Sequence, residues 1–210
     1  RQYLNYINES GNSLMQIIND ILDFSKVEAG KMDLDESYHS VYELSDQVIN
    51  VVMYQAQIKQ IEVLLDVEHG LPAAVLVDEA RVKQVLVNLL GNAVKFTEQG
   101  EVELAVRQIS RTDTEVCLRF LVRDTGIGIP EEKKERIFDA FTQEDSSISK
   151  RYGGTGLGLT ISNSILKYMG SKLHLESEVG WGSTFYFDLK LEYTEEYKDE
   201  EDVPLKRVLI

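Results

Sequence analysis

Two runs of alternating apolar residues, joined by a short polar turn, constrain the fold of this chain most. Val102, Leu104 and Val106 alternate with polar neighbours, and so do Val116, Leu118, Phe120 and Val122. A period of two turns one face of a strand toward a core and the other toward water. Residues 111–114 between the runs read as a turn, so the pair predicts an antiparallel hairpin. Phe185, Phe187, Leu189 and Leu191 repeat the pattern, and two closing strands are expected over 171–178 and 183–191. Shorter strands are expected over 32–38, 61–67 and 75–77. A sheet with one apolar face must be covered on that face.

Helices supply the cover. Leu4, Ile7, Leu14, Ile17, Ile18, Ile21 and Leu22 recur at helical spacing, which predicts a helix over 1–29 with Gly30 as its stop. That face needs a partner, ordinarily a second helix. A second helix is expected over 41–59, with Leu44, Val48, Val51, Val52 and Ile58 on its apolar stripe. A third, over 79–96, is capped by Asp78, and a fourth runs over 157–168. Between the hairpin and the fourth helix lies a long glycine-rich polar stretch, 124–156, with a helical piece at 131–138. Strands in hairpins together with helices define an α+β fold: a mixed, mostly antiparallel sheet with helices on one face, preceded by a long helix.

Charge narrows the partners. The chain has 210 residues, with 22 Lys and Arg against 36 Asp and Glu, for a net charge of −14. That balance argues against nucleic acid and against an anionic membrane surface. No apolar run approaches the roughly 20 residues of a membrane span, and the start lacks a signal-peptide pattern. Cys117 is the single cysteine, so no internal disulfide is expected, and a reducing compartment fits. His39, His69 and His174 are far apart in the chain and carry no metal-ligand spacing. Residues 192–202 hold seven acidic residues against Lys198 and read as a solvated linker. The chain opens in mid-helix at Arg1, and Leu205, Val208, Leu209 and Ile210 begin an apolar run that stops abruptly. Both ends are expected to be cuts through a longer protein.

Three segments carry candidate chemistry. On the third helix, Asn88, Asn92 and Lys95 share one stripe. Asparagine is a mediocre helix former, so two of them one turn apart suggest a task. A carboxamide oxygen suits Mg²⁺ and a lysine suits phosphate, although spacing alone favours a solvated polar face. Residues Asp124-Thr-Gly-Ile-Gly-Ile-Pro130 directly follow a strand. A carboxylate there can accept a hydrogen bond from an exocyclic amine, as on adenine, and the glycines permit close approach; alone, the segment is also an ordinary Asp-Gly turn. Residues Gly153-Gly-Thr-Gly-Leu-Gly-Leu159 open the fourth helix and form a natural phosphate cradle through backbone amides. The Gly-Lys-Ser/Thr ending of a P-loop is missing, and no parallel strand precedes the loop as in a Rossmann unit. Lys150 and Arg151 just before it can neutralise phosphate or form a solvated lid.

In this order the segments are specific, and the chain resembles the ATP-binding catalytic domain of sensor histidine kinases, in the superfamily shared with gyrase, Hsp90 and MutL. Gln84 to Thr97 matches the asparagine box, Asp124 to Gly128 the first glycine box, and Gly153 to Leu159 the second. Ile137-Phe-Asp-Ala-Phe141 matches the phenylalanine box and Gly180-Trp-Gly-Ser-Thr-Phe185 the closing hairpin. Residues 17–32 look like the end of the second helix of a dimerisation and phosphoacceptor hairpin. No histidine sits in a His-Glu-Leu-Arg-Thr-Pro-like box, so the phosphoacceptor is expected to lie outside this chain. Residues 203–210 resemble the start of a receiver domain, and Phe141-Thr-Gln-Glu-Asp145 resembles the hybrid form of these kinases.

The resemblance implies a two-layer Bergerat ATP-binding fold over 31–191. It follows a truncated hairpin helix at 1–30 and precedes an acidic linker at 192–203 and a receiver start at 204–210. It implies ATP and Mg²⁺ as cofactors. Asn92, with Asn88, would hold the metal, and these two are the expected catalytic residues. Asp124 would read the adenine amine, with Ser183 or Thr184 helping through water. Lys95, Phe96, Gly126, Gly128, Ile129, Lys150, Arg151, Gly154, Thr155, Gly156, Leu157 and Gly158 complete the expected nucleotide site. Phe138 and Phe141 would anchor a lid. The implied partners are the phosphoacceptor hairpin and a receiver domain in cis or a response regulator, in a homodimeric full-length protein. The γ-phosphoryl would pass to histidine. Asn88 stands where related ATPases place a water-activating glutamate, so weak intrinsic ATPase activity is expected. The alternatives are a nucleotide-binding regulatory module without kinase activity and an ATPase of the gyrase or Hsp90 kind.

Overall fold

Ser40 and Asp78 each precede an apolar-periodic run, and each starts a helix. In the computed structural model, the Ser40 hydroxyl accepts from the Glu43 amide at 3.4 Å and the Asp78 carboxylate from the Arg81 amide at 3.0 Å. These are N-cap bonds that satisfy otherwise orphaned amides. Helix α1 spans Val41–Lys59 and ends where Gln60 turns left-handed at φ 58°. Helix α2 spans Glu79–Phe96, and α3 spans Gly158–Tyr168. The structure describes residues 32–139 and 156–196, with scattered helical positions between 11 and 26. Among the latter, Leu14, Ile18 and Ile21 of the expected first helix are helical and exposed. The rest of 1–31, the apolar end 204–210 and the other residues beyond 196 lie outside the described set.

Seven strands form one sheet: β1 (Ser37–His39), β2 (Glu62–Val67), β3 (Ala74–Val77), β4 (Glu101–Arg111), β5 (Glu115–Asp124), β6 (His174–Glu178) and β7 (Gly182–Thr194). The order is β1-β3-β7-β5-β4-β2, with β6 also paired to β7. Only β2 and β4 run parallel; the other pairs are antiparallel. The expected hairpin is the β4–β5 pair, with a register shift between Gln108 and Ser110. The helical piece expected at 131–138 is two 3₁₀ turns, Glu131–Lys133 and Arg136–Phe138.

Alternation sorts the two faces of the sheet. Val116, Leu118, Phe120 and Val122 of β5 and Phe185, Phe187, Leu189 and Leu191 of β7 are buried beneath the helices. Phe120 and Phe187 stand in register and stack with centroids 5.3 Å apart. The opposite face is polar. Arg119 makes a two-pronged pair with Asp188, both bonds at 2.8 Å, and Arg123 bridges Glu101 and Glu103. Cross-strand pairs of this kind let one face of an antiparallel sheet stand in water.

Two expectations need correction. Val51 and Ile58 of α1 are 58% and 65% exposed. The core face of the helix instead runs through Val41, Leu44, Ser45, Val48, Ile49, Val52 and Ala56. Val51 sits one residue, about 100°, from Val52 and falls off that arc. The second concerns the acidic linker. Strand β7 extends three residues into it, because Tyr193 and Thr194 pair with Val75 and Ala74. No described helix is long and apolar enough to cross a membrane.

Candidate functional site

The site gathers at one end of the helical layer, where the end of β5 meets α2 and the start of α3. Val82, Val85, Leu86, Leu89, Leu90, Ala93 and Val94 bind α2 to the core. Its remaining arc carries Asn88, Asn92 and Lys95, all half-buried. The Asn88 amide nitrogen donates to the Ser162 hydroxyl on α3 at 2.9 Å. A Cβ placed on Gly158 would lie 2.3 Å from Asn88 Oδ1. Glycine is therefore required there, and it lets the N-terminal turn of α3 close onto Asn88. The Asn92 carboxamide has no partner among the described residues. Lys95 Nζ lies 4.9 Å over the Phe96 ring, and burial lowers the Lys95 pKa.

Asp124 ends β5 with its side chain on the helix-facing side and is only 7% exposed. Its Oδ1 accepts from the Gly126 amide at 2.8 Å and the Ser183 amide at 3.3 Å. Oδ2 has no partner among the described residues. Burial pushes the Asp124 pKa up, against the two amides and the Arg123 charge, which pull it down. The loop beyond is fixed from both sides. The Ile127 amide donates to the Phe96 carbonyl at 3.4 Å, and the Gly180 amide to the Ile127 carbonyl at 2.9 Å. Gly128 adopts φ +68°, and a Cβ there would sit 2.0 Å from the Glu178 carbonyl oxygen.

The structure brings Asn88, Asn92, Lys95, Phe96, Asp124, Gly126, Gly128, Gly158 and Ser183 to this end of the sheet. Several expected roles change. Thr184 stands in register with Arg123 and Glu176, on the opposite face from Asp124. Alternation therefore leaves Ser183, not Thr184, as the hydroxyl residue beside the carboxylate. The Leu157 side chain is 2% exposed in the core, so only its backbone can face a ligand. The Ile129 amide is committed to the Ser177 hydroxyl at 2.8 Å. Phe138 packs against the core, and its carbonyl accepts from Thr160 of α3 at 3.0 Å. Gly156 is described, with φ +72°. Lys150, Arg151, Gly154, Thr155 and Phe141 lie outside the described residues.

Two supporting residues went unread in the sequence. Ser177 bonds both the Ile129 amide and the Ser183 hydroxyl, the latter at 2.9 Å, and so ties the glycine loop to the closing hairpin. Ser162 fixes the rotamer of Asn88. For Ser162 a faint signal exists, since it lies one helical turn beyond Gly158 on the same stripe.

The metal expectation meets its test here. No cluster of His, Cys, Asp or Glu among the described residues could hold an ion. Mg²⁺ commonly keeps few protein ligands and completes its shell with phosphate and water. A half-buried carboxamide with no partner among the described residues, Asn92, and the Oδ1 of Asn88 beside the α3 N-terminus suit that mode.

This end of the sheet gathers residues expected to meet a nucleotide, and comparison with known proteins gives the family. Residues 77–193 match the family of histidine kinase-, DNA gyrase B- and HSP90-like ATPases, and the chain belongs to that family. It is 42% identical over 192 residues to the signal transduction histidine-protein kinase BarA of Escherichia coli, covering 91% of this chain and 21% of BarA. It is 40% identical over 189 residues to hybrid signal transduction histidine kinase B of Dictyostelium discoideum, covering 90% of this chain and 10% of that protein. The chain thus spans about a fifth or less of the length of these curated relatives. Among solved structures, full-length ShkA in complex with AMPPNP matches with a TM-score of 0.78 and 35% identity, over 92% of this chain and 39% of ShkA. Both of these curated relatives are named as signal transduction histidine kinases, one of them as hybrid.

Proposed function

We propose that this domain binds MgATP and passes its γ-phosphoryl to a histidine on a phosphoacceptor helical hairpin, for relay to a receiver-domain aspartate in cis or on a response regulator. The full-length protein would act as a homodimer, with this portion in the cytoplasm. The observation that carries the nucleotide reading is Asp124: a buried carboxylate whose Oδ1 is held by two backbone amides while Oδ2 is left to accept an amine. The AMPPNP complex of ShkA supports the same ligand class.

Asp124 accepts the adenine amine, and Ser183 stands beside it to hold a bridging water. Asn92, with Asn88 Oδ1, would hold Mg²⁺, and the ion would supply positive charge against the phosphates. Lys95 and the amides at the α3 N-terminus bind phosphate, aided by the positive end of the helix dipole. Lys150, Arg151, Gly154 and Thr155 are assigned to the same phosphate group by resemblance. Phosphoryl transfer relies on positioning and charge neutralisation. The bond from the γ-phosphorus to ADP oxygen breaks as the bond to histidine nitrogen forms. Asn88 cannot take a proton from water at neutral pH, and its amide nitrogen is already bound to Ser162. Transfer to histidine is therefore favoured over hydrolysis.

Supplying a phosphoacceptor hairpin in trans, with γ-labelled MgATP, tests the reading. Acid-labile, base-stable label on the hairpin histidine is expected, with only slow phosphate release by the domain alone. Brisk hydrolysis without labelling of histidine would overturn it.

A further inference from the structure

The C-terminal end of α2 presents its last carbonyls to three different partners. The Ala93 carbonyl accepts from the Thr97 amide at 3.0 Å, within the cap itself. The Phe96 carbonyl accepts from the Ile127 amide of the Asp124 loop. The remaining carbonyls of Val94 and Lys95, and that of Thr97 just beyond, converge on Lys59 of α1. Its Nζ donates to them at 2.6, 2.8 and 3.2 Å. One ammonium thus closes a helix terminus whose orphan carbonyls would otherwise stand unsatisfied, and it meets the negative end of the α2 dipole. The same turn abuts the adenine loop directly, since a Cβ on Gly126 would lie 2.5 Å from the Phe96 carbonyl oxygen.

We propose that Lys59 is a positioning residue for nucleotide recognition: it holds the last turn of α2 in the one geometry that seats the Asp124 loop and aims its carboxylate. This rests on the reading of Asp124 as the adenine acceptor. Lys59 touches no ligand in this scheme. It acts through the α2 terminus, where Lys95 and Phe96 also sit. Without it, the Val94 and Lys95 carbonyls lose their charged donor, the last turn frays, and the Ile127 amide loses a fixed acceptor. Helix geometry further up α2, at Asn88 and Asn92, is held by core packing and by Ser162, so metal and phosphate contacts should survive.

The test compares ATP with inosine triphosphate, which carries a carbonyl where ATP has the amine that Asp124 would accept. Wild-type protein is expected to bind ATP more tightly than the inosine analogue. In Lys59→Met, which keeps the chain length and loses the donors, ATP affinity by calorimetry should fall about tenfold. Affinity for the inosine analogue should hardly change, so discrimination collapses. Amide exchange supplies a readout independent of nucleotide. Thr97 and Ile127 should exchange faster while Phe120 in the core keeps its protection; a merely structural role would weaken all three together. Where Lys59→Met does not fold, Lys59→Arg decides, since it keeps the charge but presents a planar fork in place of three converging donors. It should show the same change to a smaller extent. A folded Lys59 variant with wild-type discrimination and wild-type exchange at Ile127 overturns the proposal. Equal wild-type affinity for both nucleotides would instead refute the Asp124 reading, leaving the exchange result to judge Lys59.

Discussion

The carboxyl of Asp124 sits where burial opposes charge. Burial raises its folded-state pKa above the ordinary value, so the folded chain holds that proton more tightly than the unfolded one. The ionised group therefore opposes folding above its raised pKa. The penalty disappears as pH falls below the unfolded pKa. Asp124→Asn removes the charge and can keep Oδ1 on the Gly126 and Ser183 amides. Its thermal midpoint, without nucleotide, should exceed wild type at pH 7, and the gap should close toward about pH 4. A lower midpoint at pH 7 would contradict this. Two glycines make a second pair of predictions. Gly158→Ala drives a methyl group into Asn88 and should cost about 1–3 kcal/mol by denaturant titration. Nothing lies within 4 Å of a Cβ added at Gly91, inside α2. Gly91→Ala should therefore stabilise by about 0.5–1 kcal/mol in the same titration.

Among the elements, α2 was the most legible. Its cap residue Asp78, its apolar spacing and its asparagine stripe lie within one short segment, and the helix begins and ends as expected. The β4–β5 hairpin was legible for the same reason, because alternation and turn are both local. The α1 stripe was misread because periodicity shows that a helix has an apolar face but not how wide the covered arc is. Val51 and Ile58 lie beyond it. The parity of β7 held an unused signal: Ser183 shares the face of Phe185 and Phe187, and Thr184 does not. Ser177 and Lys59 were not legible, since Ile129 and the α2 carbonyls that they bond lie far along the chain. Lys59 meets Val94 across 35 positions. The α2 cap also contains a fully buried Thr97 whose hydroxyl has no hydrogen-bond partner among the described residues. Thr97→Val keeps the shape and removes an unsatisfied polar atom. It should leave the unfolding midpoint unchanged or raise it; a loss of more than about 1 kcal/mol would mean that the hydroxyl is satisfied after all.

For the molecule as a whole, a chain of net charge −14 is read as binding a polyanion. The long-range field repels ATP, so on that reading affinity comes from local features, the proposed contacts of Lys95, the α3 N-terminus and Mg²⁺. Removing Mg²⁺ should weaken ATP binding by about tenfold or more, equivalent to about 1.4 kcal/mol. Asn92→Ala should shrink that Mg²⁺ dependence without altering the fold; an unaltered dependence would remove Asn92 from the metal site. The architecture divides this work. The polar sheet face is stabilised by its own ion pairs, while the helical face buries the core and opens the site at one end. The most direct test of the account is a calorimetric titration of the domain with MgATP, wild type against Asp124→Asn. In the variant the amide nitrogen would face the adenine amine, donor against donor. Saturable one-to-one binding by wild type and none by the folded variant is the predicted result, and equal affinity in the two proteins would contradict the account.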